Sequence, residues 1–317
     1  MPTLPPRLHL GDTLGLIAPA SPPADPKAVD HSIAALEKMG FKVKLARHAR
    51  QRWGFLAGKD QERAADIMQM FTDKKVNGIV CLRGGYGTPR LLPLLDYAAI
   101  RRNPKVFVGF SDITALHCAF LKKANLLSFH GPMTASHLSQ ADTPEFTRQS
   151  WMKILTQPVA AGSIRQGYKP RSISVIRGGK ASGQLIGGNL TLLASLLGTP
   201  FAPSFAGKIL FFEDVDERPY RLDRLLTQFL NAGLLQQVKG IAVGICAECH
   251  DPNAKEKKEF RQSAADVVKE RLLPLQVPVV TGLPFGHVPH NAMLPVGGQA
   301  TLDGERGDLI ITKSAVR

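Results

Sequence analysis

Continuous apolar runs are missing from this chain. No window approaches the roughly 18 consecutive apolar residues of a membrane-spanning helix, so no membrane association is expected. The opening stretch, MPTLPPRLHLGDTLGLIAPASPP, has no basic region leading into an apolar stretch and a small-residue cleavage site, and the expectation is a cytoplasmic protein. Cysteine is scarce, four in 317 residues, and a chain of this length buries enough core to dispense with disulfide staples. Internal repeats and low-complexity tracts are absent, and the 44% hydrophobic content is that of a folded globular protein long enough for two domains.

The formal charge of +14 comes without an RNA-binding signature, a zinc finger or a basic arm. Its cations are scattered, with Lys42, Lys44, Arg47 and Arg50 in one stretch and Lys255, Lys257 and Lys258 in another. That pattern reads as a solvated basic surface that attracts a small acidic substrate, with no nucleic-acid partner. Cys246, Cys249 and His250 spell C-x-x-C-H, which matches a haem-attachment pattern and half of a zinc site. Haem attachment of that kind belongs to exported chains. A zinc site wants a second close pair, which Cys81 and Cys118 do not supply. The expectation is therefore two small thiols at a strand end, with no metal and no cofactor. A metal or redox protein built on Cys246, Cys249 and His250 stands as the alternative from another class.

Strand and helix signals alternate through the first half. Short apolar runs at Thr13–Ala18, Phe41–Ala46, Val76–Leu82 and Lys105–Phe110 read as strands. Helical patterns fill Ala28–Met39, Gln61–Phe71, Pro89–Ile100 and Ser111–Ala124. The class is α/β with a mainly parallel sheet, whose ligands gather at the loops after the strand C-termini. The expected division is residues 1–156, a connecting segment at 157–183 rich in Gly, Pro and Ser, and residues 184–317. In the last part, a helix at Asn189–Leu197, a strand at Lys208–Phe212 and a helix at Tyr220–Leu234 precede strands at Gly240–Ile245 and Val277–Thr281. A β-meander is expected in the tail.

The stretch Val106-Phe107-Val108-Gly109-Phe110-Ser111-Asp112 is a buried strand running into Gly-x-Ser at a helix start. A serine hydroxyl needs exposure and a base to become a nucleophile, and a strand-to-helix elbow supplies the exposure. The Gly-x-Ser-x-Gly of α/β-hydrolases is not met, because Ile113 stands at the second glycine. Serine is also a favoured helix cap, so Ser111 alone stays ambiguous. Arg83-Gly84-Gly85-Tyr86-Gly87, after the preceding strand, offers backbone N–H groups at close range, but it has neither Gly-x-Gly-x-x-Gly nor a Gly-Lys-Ser/Thr ending. His287 closes Gly-Leu-Pro-Phe-Gly after an apolar strand and is the leading candidate base, with His130 its rival. Glu213 and Asp214 end an apolar strand, with Asp216 and Glu217 as further carboxylates.

Six ordered segments, RGGYG (83–87), GFSD (109–112), FHGPM (129–133), GGNL (187–190), the ILFFED…RPYRLDRLL run (209–226) and GLPFGH (282–287), together resemble the LD-carboxypeptidases. These are serine peptidases of murein recycling, grouped with the microcin C7 immunity peptidases. The resemblance implies a Rossmann-like N-terminal domain carrying the nucleophile and a C-terminal domain that contains a small β-barrel and carries Glu and His. It places the nucleophile on Ser111, the orienting carboxylate on Glu213 and the general base on His287. The backbone N–H groups of Asp112 and Gly85, with Gly84 the alternative to the latter, become the oxyanion hole. The substrate's free carboxylate needs a cationic or N–H-rich partner, for which Arg83 is the candidate, with a structural ion-pair residue as the other reading, and Tyr86 is a second candidate contact. The implied reaction releases terminal D-alanine from a murein tetrapeptide or muropeptide in cytoplasmic peptidoglycan recycling, by a homodimer. Microcin-type relatives carry a longer loop with a nucleotide-stacking aromatic residue. The stretch 166–183 has Tyr168 but no Trp, which favours murein over an acyl-aspartyl nucleotide.

Overall fold

The computed structural model describes residues 1–168, 173–251 and 261–317. The basic stretch with Lys255, Lys257 and Lys258 lies outside the described residues. In the first half the chain runs β1 (Thr13–Ile17), α1 (Ala28–Lys38), β2 (Lys42–Leu45), α2 (Asp60–Thr72), β3 (Gly78–Cys81), α3 (Tyr97–Arg102), β4 (Val106–Gly109), α4 (Thr114–Ala119), β5 (Ser128–His130) and α5 (Glu145–Thr156). The five strands pair in parallel in the order β5-β4-β3-β1-β2. β3 and β4 are buried at every residue, as helix-covered parallel strands must be, while edge strand β2 carries the exposed Lys42 and the half-buried Lys44. The strand order reverses at β1, so the loops leaving β1 and β3 part from each other there. A crevice opens at such a switch point.

Two helical expectations break into pieces. Residues 89–100 do not form one helix: a tight 3-10 turn over Thr88–Leu94 contains Pro93, which has no N–H to donate, and α3 begins afresh behind Asp96, whose side chain accepts from the Ala99 N–H at 2.9 Å. Residues 111–124 likewise divide into a 3-10 turn at Ser111–Ile113, α4, and a wide turn at Phe120–Ala124.

The second half continues with β6 (Gly162–Ser163), β7 (Ser174–Arg177), β8 (Lys180–Asn189), α6 (Leu190–Ser195), β9 (Ile209–Val215), α7 (Pro219–Asn231), β10 (Gly240–Ala247), α8 (Ala264–Leu272), β11 (Val279–Thr281), β12 (Leu294–Val296), β13 (Gln299–Asp303) and β14 (Asp308–Ile311). Eight of these strands form one mixed sheet in the order β6-β14-β13-β8-β9-β10-β11-β7. Its centre, β8 to β11, is parallel. The strand order ends on β6 at one edge and β7 at the other, so the described pairings do not close the sheet into the small β-barrel that the resemblance implies. The stretch 157–183, poor in strand formers, nevertheless contributes β6, β7 and the start of β8. Pairing with β14, β11 and β13 overrides its local composition. The tail is not a simple meander either. β13 and β14 form an antiparallel pair, but β12 leaves them and pairs antiparallel with β5, Leu294 opposite His130 and Val296 opposite Ser128. Pro295 fits there because β12 is the edge strand of the first sheet.

α7 shows why the second sheet keeps its helices. Leu222, Leu226 and Phe229 fall on one face at helical spacing and are fully buried, behind Pro219 in the first turn, where its missing N–H costs nothing. No helix among the described residues is long and apolar enough to cross a membrane.

Candidate active site

The parallel strand ends of the two sheets meet, and α4 joins them. The Asn189 N–H at the end of β8 donates to Thr114 Oγ1 at the start of α4, 2.9 Å away. Directly before α4, Ser111 sits at the tip of the β4 elbow with φ +63°, a left-handed conformation that costs a non-glycine residue about 1–2 kcal/mol. Ser111 does not cap a helix. Its Oγ lies 3.0 Å from His287 Nε2, and His287 Nδ1 lies 2.6 Å from Glu213 Oε2. With the ring proton on Nδ1 donated to the carboxylate, Nε2 is left to accept the serine proton. Glu213 is wholly buried at the end of β9, while the His287 side chain is 21% exposed. The ring of Phe110 covers His287 at 4.8 Å between centroids.

Two glycines make room for this contact. A Cβ on Gly84 would stand 2.9 Å from Ser111 Cβ and 3.3 Å from the Asp112 nitrogen, so the Arg83–Gly87 loop lies directly against the Ser111 elbow. A Cβ on Gly286 would stand 3.0 Å from both Cβ and Oε2 of Glu213. Ile113, which replaces the second glycine of the α/β-hydrolase pattern, is fully buried and packs over Gly109 at the base of the elbow.

Asp112 pins the elbow to the glycine-rich loop. Its Oδ2 accepts from the Thr88 N–H at 2.8 Å, and its carbonyl accepts from Thr88 Oγ1 at 2.5 Å. Burial raises the Asp112 carboxyl above its ordinary range, and these hydrogen bonds oppose the rise. Buried Arg63 braces the same loops, donating to the carbonyls of Pro19 and Gly87 and pairing with Asp60 at 2.5 Å.

The rivals named from sequence go elsewhere. His130 is fully buried among Phe110, His117 and Phe211, and both ring nitrogens lack partners among the described residues. Burial pushes it well below the usual imidazole range, so it stays neutral. Asp214 turns away from His287 and accepts from Asn189 Nδ2 at 2.8 Å and from the Thr191 N–H and Oγ1 at 2.9 Å each. Glu217 accepts from Thr191 Oγ1 at 3.2 Å, and Asp216 turns the chain at φ +58°.

Burial, and then the neighbouring Glu213 charge, raise Asp214 to about 6. Between its ordinary value of 3.8 and about 6 the folded state binds more protons than the unfolded one. The Asp214 contribution to stability therefore falls as pH rises through that window. Asp214→Asn removes the titration. Urea midpoints measured from pH 4 to pH 6 are expected to move in favour of the variant, relative to the native chain, as pH rises. Parallel curves for the two proteins would contradict it.

Ser111 opens into a cavity of about 320 Å³ lined by the loops after β1, β3, β4 and β5 and by His287. Arg83 lines it and donates from Nη1 to the Pro22 carbonyl at 3.3 Å, and Asp25 and Ser136 face it as well. Tyr86 is half-exposed beside Phe55, ring centroids 5.6 Å apart, and its N–H donates to Ser21 Oγ at 3.2 Å. Ser21, Asp25 and Ser136 were missed in the sequence. Their one signal was position, since they follow β1 and β5 at the same sheet edge as Ser111. Among the described residues no group of three or more His, Cys, Asp or Glu side chains gathers as a metal site would require, and His250 turns toward Glu248 at 3.8 Å.

Comparison with known proteins gives the family. A family model described as the LD-carboxypeptidase N-terminal domain matches residues 14–131, and one for the LD-carboxypeptidase C-terminal domain matches residues 182–302. The chain is 38% identical over 299 residues to a probable murein peptide carboxypeptidase of Bacillus subtilis, covering 94% of this chain and 91% of that one. It is 27% identical to the microcin C7 self-immunity protein MccF of Escherichia coli, over 98% of this chain and 96% of that one. The crystal structure of muramoyltetrapeptide carboxypeptidase from Oxalobacter formigenes superposes with a TM-score of 0.81 at 33% identity, covering 94% of this chain and 97% of that one.

Proposed function

We propose, from the premise that this chain belongs to the LD-carboxypeptidase family of serine carboxypeptidases, that it releases terminal D-alanine from a murein tetrapeptide by acyl transfer to Ser111. The observation that carries the reading is the Ser111–His287–Glu213 contact line, 3.0 Å and 2.6 Å, at the floor of the cavity. His287 takes the Ser111 proton as Oγ attacks the carbonyl of the scissile bond, and then returns it to the departing amine of D-alanine. Water repeats the cycle on the acyl-enzyme. Glu213 holds the imidazole in the accepting tautomer and offsets its charge once it is protonated. The N–H groups of Asp112 and Gly85 receive the oxyanion, a role supported by the close approach of the neighbouring Gly84 to Ser111 and the Asp112 nitrogen. Arg83 supplies the cation for the substrate's terminal carboxylate, and Tyr86 borders the entrance. At about 320 Å³ the cavity suits the terminal residues of the peptide, with the rest of the muropeptide outside. The cytoplasmic location and homodimeric state implied by the family belong to the same reading.

The test is parallel incubation with a murein tetrapeptide and with an acyl-aspartyl nucleotide conjugate. Free D-alanine from the first, with slower or no cleavage of the second, is expected. Cleavage of the conjugate without D-alanine release would move the protein to the immunity-type branch represented by MccF.

A further inference from the structure

The C-x-x-C pair is not used by the peptidase chemistry, yet it sits at a mechanically sensitive place. β10 lies between β9, which carries Glu213, and the loop that carries His287. The His287 loop is bonded to β10 twice: the Leu283 N–H donates to the Val243 carbonyl at 3.1 Å, and the Ile245 N–H donates to the Phe285 carbonyl at 3.0 Å. The pairing of β10 with β9 shifts register between Val243 and Cys246, and after that irregularity Cys246 stands opposite Asp214. The Asp216 N–H then donates to the Ala247 carbonyl at 3.0 Å. The end of β10 thus spaces the Glu213 strand from the His287 loop.

Cys246 and Cys249 bracket one tight turn at that end, with Glu248 at φ +53°. Both are free thiols three positions apart, and Cys246 beside it holds the Cys249 thiol below its usual range. Cys246 also lines a cavity of about 330 Å³ bounded by Gly244, Ile245, Val268, Thr281 and Gly282, which opens a path for a small reagent. The other two cysteines, Cys81 and Cys118, are fully buried.

We infer that Cys246 and Cys249 form a reversible thiol–disulfide pair, oxidised by low-molecular-weight disulfides, that adjusts the spacing between Glu213 and His287. One thiol of the pair, giving up its proton, attacks a sulfur of the small disulfide and releases its first thiol. The second protein thiol, giving up its proton, attacks the mixed disulfide and releases the second. Two protein thiols are oxidised to one disulfide, and one small disulfide is reduced to two thiols that carry off both protons. Closing the S–S bond draws the 246–249 turn together and pulls on the end of β10, to which the His287 loop is tied.

The full-length protein is equilibrated in glutathione buffers from reducing to oxidising, and free thiols are trapped and mapped by mass spectrometry. A disulfide between Cys246 and Cys249 is expected, together with a reversible shift of the low-field Nδ1–H proton resonance of His287. D-alanine release is expected to fall at least threefold and to recover with dithiothreitol. Cys249→Ser, or Cys249→Ala should the serine variant fold poorly, is expected to keep the reduced rate and lose the response. Thiols that stay free in oxidised glutathione overturn the proposal, as does a disulfide that leaves the resonance and the rate unchanged. The rate arm rests on the carboxypeptidase reading. The thiol map and the resonance do not, so a protein silent toward murein peptide would still decide the redox question.

Discussion

Ser111→Ala is expected to lower kcat/KM for D-alanine release by about 10⁴- to 10⁶-fold while leaving the fold intact. The size follows from the unit character of the contact line. Without Oγ there is no acyl-enzyme, and His287 and Glu213 have nothing to activate. The residual rate comes from binding and from the N–H groups around the elbow. The backbone makes a second measurement informative. Alanine inherits the strain of φ +63°, whereas Ser111→Gly relieves it, so the glycine variant should be equally inactive yet more stable than the alanine variant by about 1 kcal/mol. Thermal melting of the two side by side checks this. An Ser111→Ala enzyme that retained more than about a hundredth of native turnover would remove the serine from the mechanism.

Glu213→Gln is expected to cost about 10³- to 10⁴-fold in the same assay. Glu213 is fully buried, and its Oε1 lacks a partner among the described residues, so its work falls on Oε2 and His287 Nδ1. Glutamine keeps the shape. Its carbonyl can still accept the Nδ1 proton, but it no longer offsets the charge on the protonated imidazole. If the amide turns the other way, the ring proton moves to Nε2 and the base is lost. Stability should change little, since the substitution trades a buried charge for a neutral group of equal volume. A loss in KM alone, with kcat preserved, would assign Glu213 to substrate binding instead.

Much of this site was legible in the sequence because strand ends are legible. Ser111, Glu213 and His287 each close a short apolar run, and parallel strands deliver their C-terminal loops to one edge. Ser111 by itself was undecidable, since Gly-x-Ser at a helix start also describes a cap. Only the long-range contact with His287, 176 residues away, separates the two. The distinction between Glu213 and Asp214 was equally out of reach. Neighbouring residues on a strand face opposite sides, and which side meets the histidine depends on register with β8 and β10. The helix expected at 89–100 and the segment expected to connect at 157–183 were misread for different reasons. Pro93 breaks the helix locally, whereas composition in 157–183 speaks of turns while pairing with distant strands decides the outcome.

The return of β12 to the first sheet carries a consequence for how the protein is made. A ribosome releases β1 to β5 early, but the edge of β5 stays uncovered until residues 294–296 emerge. At ordinary synthesis rates that interval is about ten to thirty seconds. During it the nascent half exposes a sheet edge able to pair with a neighbouring chain. Vectorial synthesis therefore leaves the sheet beneath Ser111 unfinished until almost the whole polypeptide has been translated. Severing the chain between its two matched segments should yield a first half that aggregates unless the second is supplied alongside it.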